Sequence, residues 1–275
     1  MTGWTPPAEV ALPPTALVDA FDDLPLWSAP FGMALLDAVD LHPTAIALDV
    51  GCGAGFPLVE LAERLGPRAH VHGVDPWDAA LDRVRGKLAA RAVANVTLHR
   101  ARAEALPLAD RAVDLVVSNN GFNNVDDLDA ALAECARVAR PDAQLVYAYN
   151  LPASMRELYD ALDAALAARG LEAARAAVRA HIDHKRQPVE ATVAALARAG
   201  FATTRVDEHG FRWRFADAAA MFQHWFMRLA FVPSWIEVVP AAERAAVFTA
   251  VSAALDQPGG VTLTIPFACV VARRH

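Results

Sequence analysis

The sequence predicts an α/β fold, in which a mostly parallel sheet carries helices on both faces. Over residues 45–150, short apolar runs alternate with segments of helical periodicity, and the connections between them are short. This alternation is typical of parallel βαβ units. Three glycines follow the first apolar run, and an acidic residue ends the second. With 275 residues, 55% of them hydrophobic, the chain can bury one large core and a small second lobe.

Seven strands are predicted, and the last is expected to run antiparallel to its neighbours. They are residues 45–50, 70–75, 95–101, 114–119, 143–150, 203–208 and 259–274. Helices are predicted between them, two of which end at glycines in the manner of a helix C-cap. They are residues 15–21, 30–41, 57–66, 78–92, 128–139, 152–180, 189–201, 216–229 and 241–255.

The order of these elements divides the chain into six segments. They are an N-terminal helical segment or lid (1–44), a ligand-binding core (45–150), a helical insertion (151–187), a continuation of the core (188–208), an aromatic helical cap (209–257) and a final core strand (258–275).

Composition and charge narrow the choice of partners. The net charge is −7 and no run of Lys or Arg occurs, which disfavours nucleic acid. The three cysteines lie far apart, with no CxxC pair and no His at ligand spacing, so we predict reduced thiols, a cytoplasmic location and no metal site. The N-terminus lacks the pattern of a signal peptide. Charges and a proline interrupt the most apolar window, 218–239, so no membrane span is expected. A homodimer is left open.

The stretch ALDVGCGAG, residues 47–55, indicates a nucleotide-like ligand. Its glycines allow a tight turn and a close approach of the ligand to the backbone. Asp75, at the end of the second strand, is placed to accept hydrogen bonds from ribose hydroxyls. Asp49 precedes the first glycine and would repel a pyrophosphate, but it would suit a cationic amine. S-adenosylmethionine offers an α-ammonium, a sulfonium and a ribose diol without a phosphate.

Four motifs together resemble the class I S-adenosylmethionine-dependent methyltransferases, in the small-molecule, methyltransferase-11-like branch that includes ubiquinone-biosynthesis enzymes. They are LDVGCGAG, GVD, ARAEALPLADRAVDLVVSN and ECARVARPDAQLV. The resemblance covers residues 45–150 and, more loosely, 188–208 and the final strand. It implies a Rossmann-like fold with a helical cap, and S-adenosylmethionine as a cofactor that leaves as S-adenosylhomocysteine.

The same resemblance implies a set of cofactor contacts. The glycine loop would cradle the methionine part, Asp75 would hold the ribose, and the other residues would border the amine, the adenine or the reactive end. The full set is Asp49, Gly51, Cys52, Gly53, Gly55, Asp75, Pro76, Trp77, Ala103, Glu104, Ser118 and Asn119. The chain departs from the family at Arg102, where an Asp is common, and at Pro141-Asp142-Ala143, where the family has Pro-Gly-Gly.

The acceptor side is predicted from polar and aromatic residues. NNGF, residues 119–122, is distantly similar to the N-P-P-Y motif of amine methyltransferases but lacks both prolines. Asparagines 119, 120, 123 and 124 offer donors and acceptors that do not titrate. Turn formation is an equally good account of Asn123 and Asn124. The predicted substrate contacts are Asn120, Asn123, Trp27, Tyr149, Phe222 and Trp225. Alternation along the fifth strand is expected to let only one of Tyr147 and Tyr149 face the site.

Methyl transfer to oxygen or nitrogen commonly requires removal of a proton. Among the histidines, His209 and His224 rank first as bases, ahead of His181 and His184, because His209 directly precedes the aromatic segment 210–235 and His224 lies within it. The sequence therefore predicts an enzyme that methylates O, N or C of a small molecule under an aromatic cap. Two alternatives remain: a sensor that binds the cofactor without turnover, and an enzyme that uses the sulfonium for other chemistry, such as a cyclisation. Asp49 and the glycine spacing disfavour a dinucleotide oxidoreductase.

Overall fold

A computed structural model describes residues 16, 18, 19, 22 and 27–275. Its seven strands form one sheet in the order β3-β2-β1-β4-β5-β7-β6. They are β1 Ile46–Val50, β2 His70–Asp75, β3 Val96–Arg100, β4 Val113–Asn119, β5 Ala139–Asn150, β6 Phe201–Phe215 and β7 Val261–Arg274. β1 to β5 pair in parallel, whereas β7 pairs antiparallel with β5. The predicted fold class is confirmed, and the antiparallel last strand with it.

The helices differ from the prediction in three places, one of which is a short helix, Val232–Val238, that was not predicted. The helices are Ala29–Ala38, Leu58–Leu65, Asp78–Arg91, Leu128–Val138, Arg156–Ala167, Glu172–Lys185, Val189–Arg198, Ala218–Gln223, Trp225–Ala230, Val232–Val238 and Arg244–Leu255. The helix expected over 152–180 is two helices, interrupted near Gly170, whose φ is 68°. The helix expected over 216–229 breaks at His224, whose ψ is 132°. The helix predicted at 15–21 lies mostly outside the described residues.

No helix of the described part of the chain is both long enough and apolar enough to cross a membrane. β6 runs for 15 residues and is longer than the predicted 203–208, whereas β7, with 14 residues, lies within the predicted 259–274. β5 begins at Ala139 and so takes in Arg140, Pro141 and Asp142, which lie before the predicted strand 143–150.

The chain forms two compact units. The larger unit contains the described part of residues 13–150 together with Gln187–His209 and Phe267–His275, and the smaller contains Leu151–Arg186 and Gly210–Pro266. In the larger unit the central strands are apolar on both faces: Leu48, Val71 and Val116 are fully buried. Because helices cover both faces of a parallel sheet, the sequences of its strands are nearly continuous runs of hydrophobic residues.

The smaller unit has an aromatic core of its own. Trp235 is 1% exposed, and its indole Nε1–H donates to the Tyr159 hydroxyl at 3.1 Å. The Arg186 guanidinium lies 4.7 Å from the centre of the Tyr159 ring. Phe222 packs edge-on against Trp235 and Phe248. Phe222, predicted to contact substrate, is therefore a core residue, because its ring is enclosed by other rings.

Three histidines lie together near the β3 edge of the sheet. His70 and His72 are two residues apart on β2 and so share one face of the strand, and their ring centroids are 4.7 Å apart. His72 Nδ1 and His99 Nε2, on β3, are separated by 3.0 Å, so one donates to the other. Burial, followed by the neighbouring His70 and His99, lowers the pKa of His72 to about 4.

The His72 shift predicts a loss of stability in acid. In the unfolded chain the His72 imidazole has a pKa near 6.5. The contribution of neutral His72 to the free energy of unfolding is therefore complete above about pH 6.5 and is lost as the pH falls towards 4. We expect His72→Gln to flatten the decline of Tm between pH 7 and pH 4.5. His42→Gln, at an exposed position, is the control and should follow the wild type. Equal slopes for all three proteins in thermal unfolding would contradict the assignment to His72.

Candidate functional site

A cavity of about 510 Å³ opens in the larger unit, at the carboxyl ends of β1, β2 and β4. Its walls are the ends of these strands and the loops that follow them. They comprise residues 50–54, 56, 74–77, 101–104, 119–121 and 124–126, together with Asp22 and Ser28. Ligands of open α/β sheets bind at this edge.

The loop after β1 packs backbone against backbone on the loop after β4. Gly51 has a φ of 73°, and a Cβ built on it would lie 2.7 Å from the Cα of Gly121. A Cβ on Gly121 would lie 2.2 Å from the carbonyl oxygen of Val50. Gly53 is different, because a Cβ there would meet nothing within 4 Å. The glycine loop is thus fixed by its neighbour on one side and leaves room for a ligand on the other.

Asp75 ties the glycine loop to the loop after β2. Its Oδ2 accepts from the backbone N–H of Gly53 at 2.9 Å, and its Oδ1 accepts from that of Trp77 at 2.9 Å. Burial raises the pKa of Asp75, while the two amides oppose the shift. Asp75, Pro76 and Trp77 all line the cavity, as predicted from the sequence.

Asp49 is completely buried on β1, just before the glycine loop, and does not itself line the cavity. Neither carboxylate oxygen has a partner at hydrogen-bond geometry. Burial, followed by the charge of Asp75, raises the pKa of Asp49 to about 8, against an opposing contribution from the Leu58 amide. Burial also raises the pKa of the Cys52 thiol, which lines the cavity. An uncompensated buried carboxylate behind a glycine cradle fits a ligand that brings a cationic amine.

A rim of charged residues borders another side of the cavity. Glu104 Oε1 accepts from the backbone N–H of Asp126 at 2.9 Å and of Asp127 at 3.3 Å. Arg102 is exposed and forms ion pairs with Asp126 and, at 3.5 Å, with Glu104. Arg102, which stands where the family often has an aspartate, therefore holds this rim together. Ala103 lines the cavity beside it and is 8% exposed.

The described part of the N-terminal segment also reaches the cavity. Asp22 forms ion pairs with Arg83, at 2.7 Å, and with Lys87. Lys87 Nζ donates in turn to the carbonyl of Ala54 in the glycine loop, at 2.8 Å. The predicted contact Trp27 does not line the cavity.

The asparagines after β4 fall into two groups. Asn119, Asn120 and Asn124 line the cavity. Asn123 does not line the cavity, because its Nδ2 donates hydrogen bonds to Oδ1 of Asn120 and of Asn150. Ser118, predicted as a cofactor contact, is fully buried, and its hydroxyl donates to the Val50 carbonyl at 2.9 Å. Gly55, also predicted as a cofactor contact, does not line the cavity, and it packs close to the Val84 side chain.

The remaining predicted substrate residues do not meet at the cavity. Tyr149 is fully buried and stacks on Tyr147, with ring centroids 4.4 Å apart. The expectation that only one of the two tyrosines could face the site was wrong, because residues two apart on a strand share a face. Trp225 is 36% exposed and lies in a helix that begins after the break at His224.

Neither of the two ranked histidines lines the cavity. His209 is exposed and stacks on Phe267 at 5.1 Å. His224 packs edge-on against Trp213 and Phe215, and burial lowers its pKa. Their role as bases stays a prediction, and the structure does not bring them to the cavity. Among the described residues, no cluster of three or more His, Cys, Asp or Glu is arranged to hold a metal.

Sequence reasoning missed several wall residues, among them Asp22, Ser28, Phe56 and Gly121. Gly121 had a local signal, since it follows the predicted strand 114–119 by two residues, and a glycine there allows a tight turn and a close approach. Phe56 directly follows the predicted glycine loop, whereas Asp22 and Ser28 had no signal, because contacts with distant segments bring them to the cavity.

Comparison with known proteins finds similarity to methyltransferases. Residues 48–147 match a family described as a methyltransferase domain. Demethylmenaquinone methyltransferase from Shouchella clausii is 36% identical over 108 residues, which cover 39% of this chain and 46% of that protein. The YcgJ protein of Bacillus subtilis superposes with a TM-score of 0.61 at 16% identity, over 89% of this chain and 97% of that one.

A SAM-dependent methyltransferase from Aquifex aeolicus superposes with a TM-score of 0.52 at 21% identity, over 71% of this chain and 92% of that one. At these identities the two structures show the fold alone. Matches to curated relatives span only 32% to 46% of the relatives' own lengths.

Proposed function

We infer that this chain transfers a methyl group from S-adenosylmethionine to a small organic acceptor, because residues 48–147 match a methyltransferase-domain family and the relatives similar to this region include methyltransferases. The observation that carries the inference is the cavity itself. It combines an open glycine cradle at Gly53 with a carboxylate, Asp75, that is held between two loops at the end of β2.

The residues present fit this cofactor. The backbone of Gly51, Cys52 and Gly53 would hold the methionine part, and the buried carboxylate of Asp49 would compensate its ammonium. Asp75 would hold the ribose hydroxyls, and Ala103 would border the adenine. When bound, the cofactor supplies an electrophilic methyl group on a sulfonium. The protein's part is to hold and orient both partners and to exclude water from them.

For the acceptor we propose a small molecule with an apolar body. A relative acts on demethylmenaquinone, as its name states, which supports this size class. The aromatic segment 209–257 remains the proposed source of apolar contacts, on the grounds of its composition and of Trp225, a large apolar side chain left exposed. Oxygen, nitrogen and carbon all remain open as the acceptor atom.

The test is calorimetric titration with S-adenosylmethionine and, separately, with S-adenosylhomocysteine, followed by a screen of acceptors read out by product mass. Micromolar binding of both and products heavier by one CH₂ are the expected results. Binding without turnover of any acceptor would favour the sensor, and a changed product without the added CH₂ would favour other sulfonium chemistry. Binding of neither ligand by folded, ligand-free protein would overturn the proposal.

A further inference from the structure

The asparagine side chains beside the cavity form a relay whose direction is fixed at both ends. The relay runs from the backbone N–H of Asn150 through Asn120 and Asn119 to the backbone carbonyl of Ser28. Amide oxygen and nitrogen look alike in shape, so their placement is decided by the hydrogen bonds they make. Here each end is a main-chain group with a single role: the Asn150 N–H can only donate, and the Ser28 carbonyl can only accept.

At the β5 end, the backbone N–H of Asn150 can only donate. It lies 3.3 Å from the side chain of Asn120, so the atom facing it must be Oδ1. The same Oδ1 accepts from Asn123 Nδ2 at 3.1 Å. The Asn123 Oδ1 in turn accepts from the buried hydroxyl of Tyr147. The oxygen of Asn120 is thus fully used inside the protein.

At the other end, the Ser28 carbonyl can only accept. It lies 3.3 Å from the side chain of Asn119, so the atom facing it must be Nδ2. The Asn119 Oδ1 accepts from Asn120 Nδ2 at 3.4 Å. Both ends therefore require the same orientation of the two amides. Exchanging the oxygen and nitrogen of either side chain would break its hydrogen bond to the main-chain group at its end.

The remaining donors are on the nitrogens. An amide nitrogen carries two N–H groups, and the structure uses one on Asn119 and one on Asn120. Both residues line the cavity. This wall thus has one further N–H to offer from each residue, against a single open acceptor site on Asn119 Oδ1, because the oxygen of Asn120 already accepts two hydrogen bonds.

We propose that Asn119 and Asn120 select an acceptor whose reacting end carries a hydrogen-bond-accepting oxygen, such as a phenolate, an enolate or a carboxylate, and select against a cationic amine. The proposal rests on the proposed function and narrows its acceptor class. Amide N–H groups do not titrate, so the selection holds across the neutral pH range. Asn123 and Tyr147 are positioning residues, because they act only by holding Asn120.

The test uses ¹⁵N-labelled protein saturated with S-adenosylhomocysteine and two probes of matched shape, benzoate and benzylammonium. The side-chain NH₂ signals of Asn119 and Asn120 are assigned by their loss in Asn119→Asp and Asn120→Asp. We expect benzoate to shift both signals with a dissociation constant at least tenfold lower than that of benzylammonium. The opposite preference, equal binding, or no shift with either probe would overturn the proposal.

Two further variants separate selection from folding. Asn119→Asp, which exchanges the donor for an acceptor of the same shape, should reduce or reverse the preference for benzoate. Tyr147→Phe should bring the benzoate-to-benzylammonium ratio closer to one while the affinity for S-adenosylhomocysteine stays unchanged. A merely structural role of Tyr147 would weaken both probes equally. Failure of S-adenosylhomocysteine to bind wild-type protein would instead count against the proposed function, and it is visible before any probe is added.

Discussion

Asp75→Ala is expected to weaken binding of S-adenosylmethionine and of S-adenosylhomocysteine at least a hundredfold. The substitution removes the group proposed to hold the ribose, and it releases the backbone amides of Gly53 and Trp77, each 2.9 Å from the carboxylate. A hydrogen bond to a charged group contributes roughly 1.5–3 kcal/mol, so losing two or more accounts for an effect of this size. Calorimetric titration with each ligand measures it directly.

Asp78→Ala is the matched control. Asp78 carries the same carboxylate three residues further on, but it is exposed, pairs with Arg100 at 2.9 Å and does not line the cavity. We expect this variant to bind both ligands as the wild type does. Asp75→Asn, which keeps one oxygen, should fall between the two. A folded Asp75→Ala protein that binds within threefold of the wild type would show that Asp75 does not hold the cofactor.

The predictable part of this site is the part built from local sequence. Asp75, Pro76, Trp77 and the glycine loop follow directly from strand ends, and strand ends can be read from hydrophobic runs bounded by glycine or acidic residues. The fold class was predictable for the same reason, because alternating strands and helices with short connections leave few topologies.

The rest depends on contacts between distant segments, for which one sequence carries little signal. Asp22 reaches the cavity wall through Arg83 and Lys87, some 60 residues away along the chain. The helix predicted through His224 fails because local periodicity continues across a residue whose backbone is extended. The aromatic residues were expected to bind substrate, yet Phe222 packs into a core, since periodicity alone does not distinguish a buried stripe from a pocket wall.

Asp49 shows a conflict between stability and binding. A fully buried carboxylate whose oxygens have no partner at hydrogen-bond geometry is costly to the folded state. A group of this kind is expected where a ligand supplies the missing partner, and stability is commonly given up at binding sites. The same residue should therefore lower the stability of the ligand-free protein and raise the affinity for a cationic ligand.

Asn in place of Asp49 is accordingly expected to raise the Tm of the ligand-free protein by several degrees at pH 8 and to weaken cofactor binding at least tenfold. The pKa of Asp49 is about 8 when folded and near 3.8 in the unfolded chain. Its contribution to stability is therefore complete below about pH 4 and is lost as the pH rises through 8. The difference in Tm between the variant and the wild type should grow over that range. Asp37→Asn, at an exposed site, controls for the charge removed.

Binding should show the opposite dependence on pH. A cationic ammonium favours ionised Asp49, so binding to the wild type below pH 8 should release a proton from this residue, and the ratio of wild-type to Asp49→Asn affinity should rise with pH up to about 8. Calorimetry in buffers of different ionisation enthalpy counts the protons released. Titration of the cofactor's own amine is common to both proteins and cancels in the ratio. An unchanged ratio between pH 6 and 8, with no difference in proton release, would mean that Asp49 does not compensate the cofactor's ammonium.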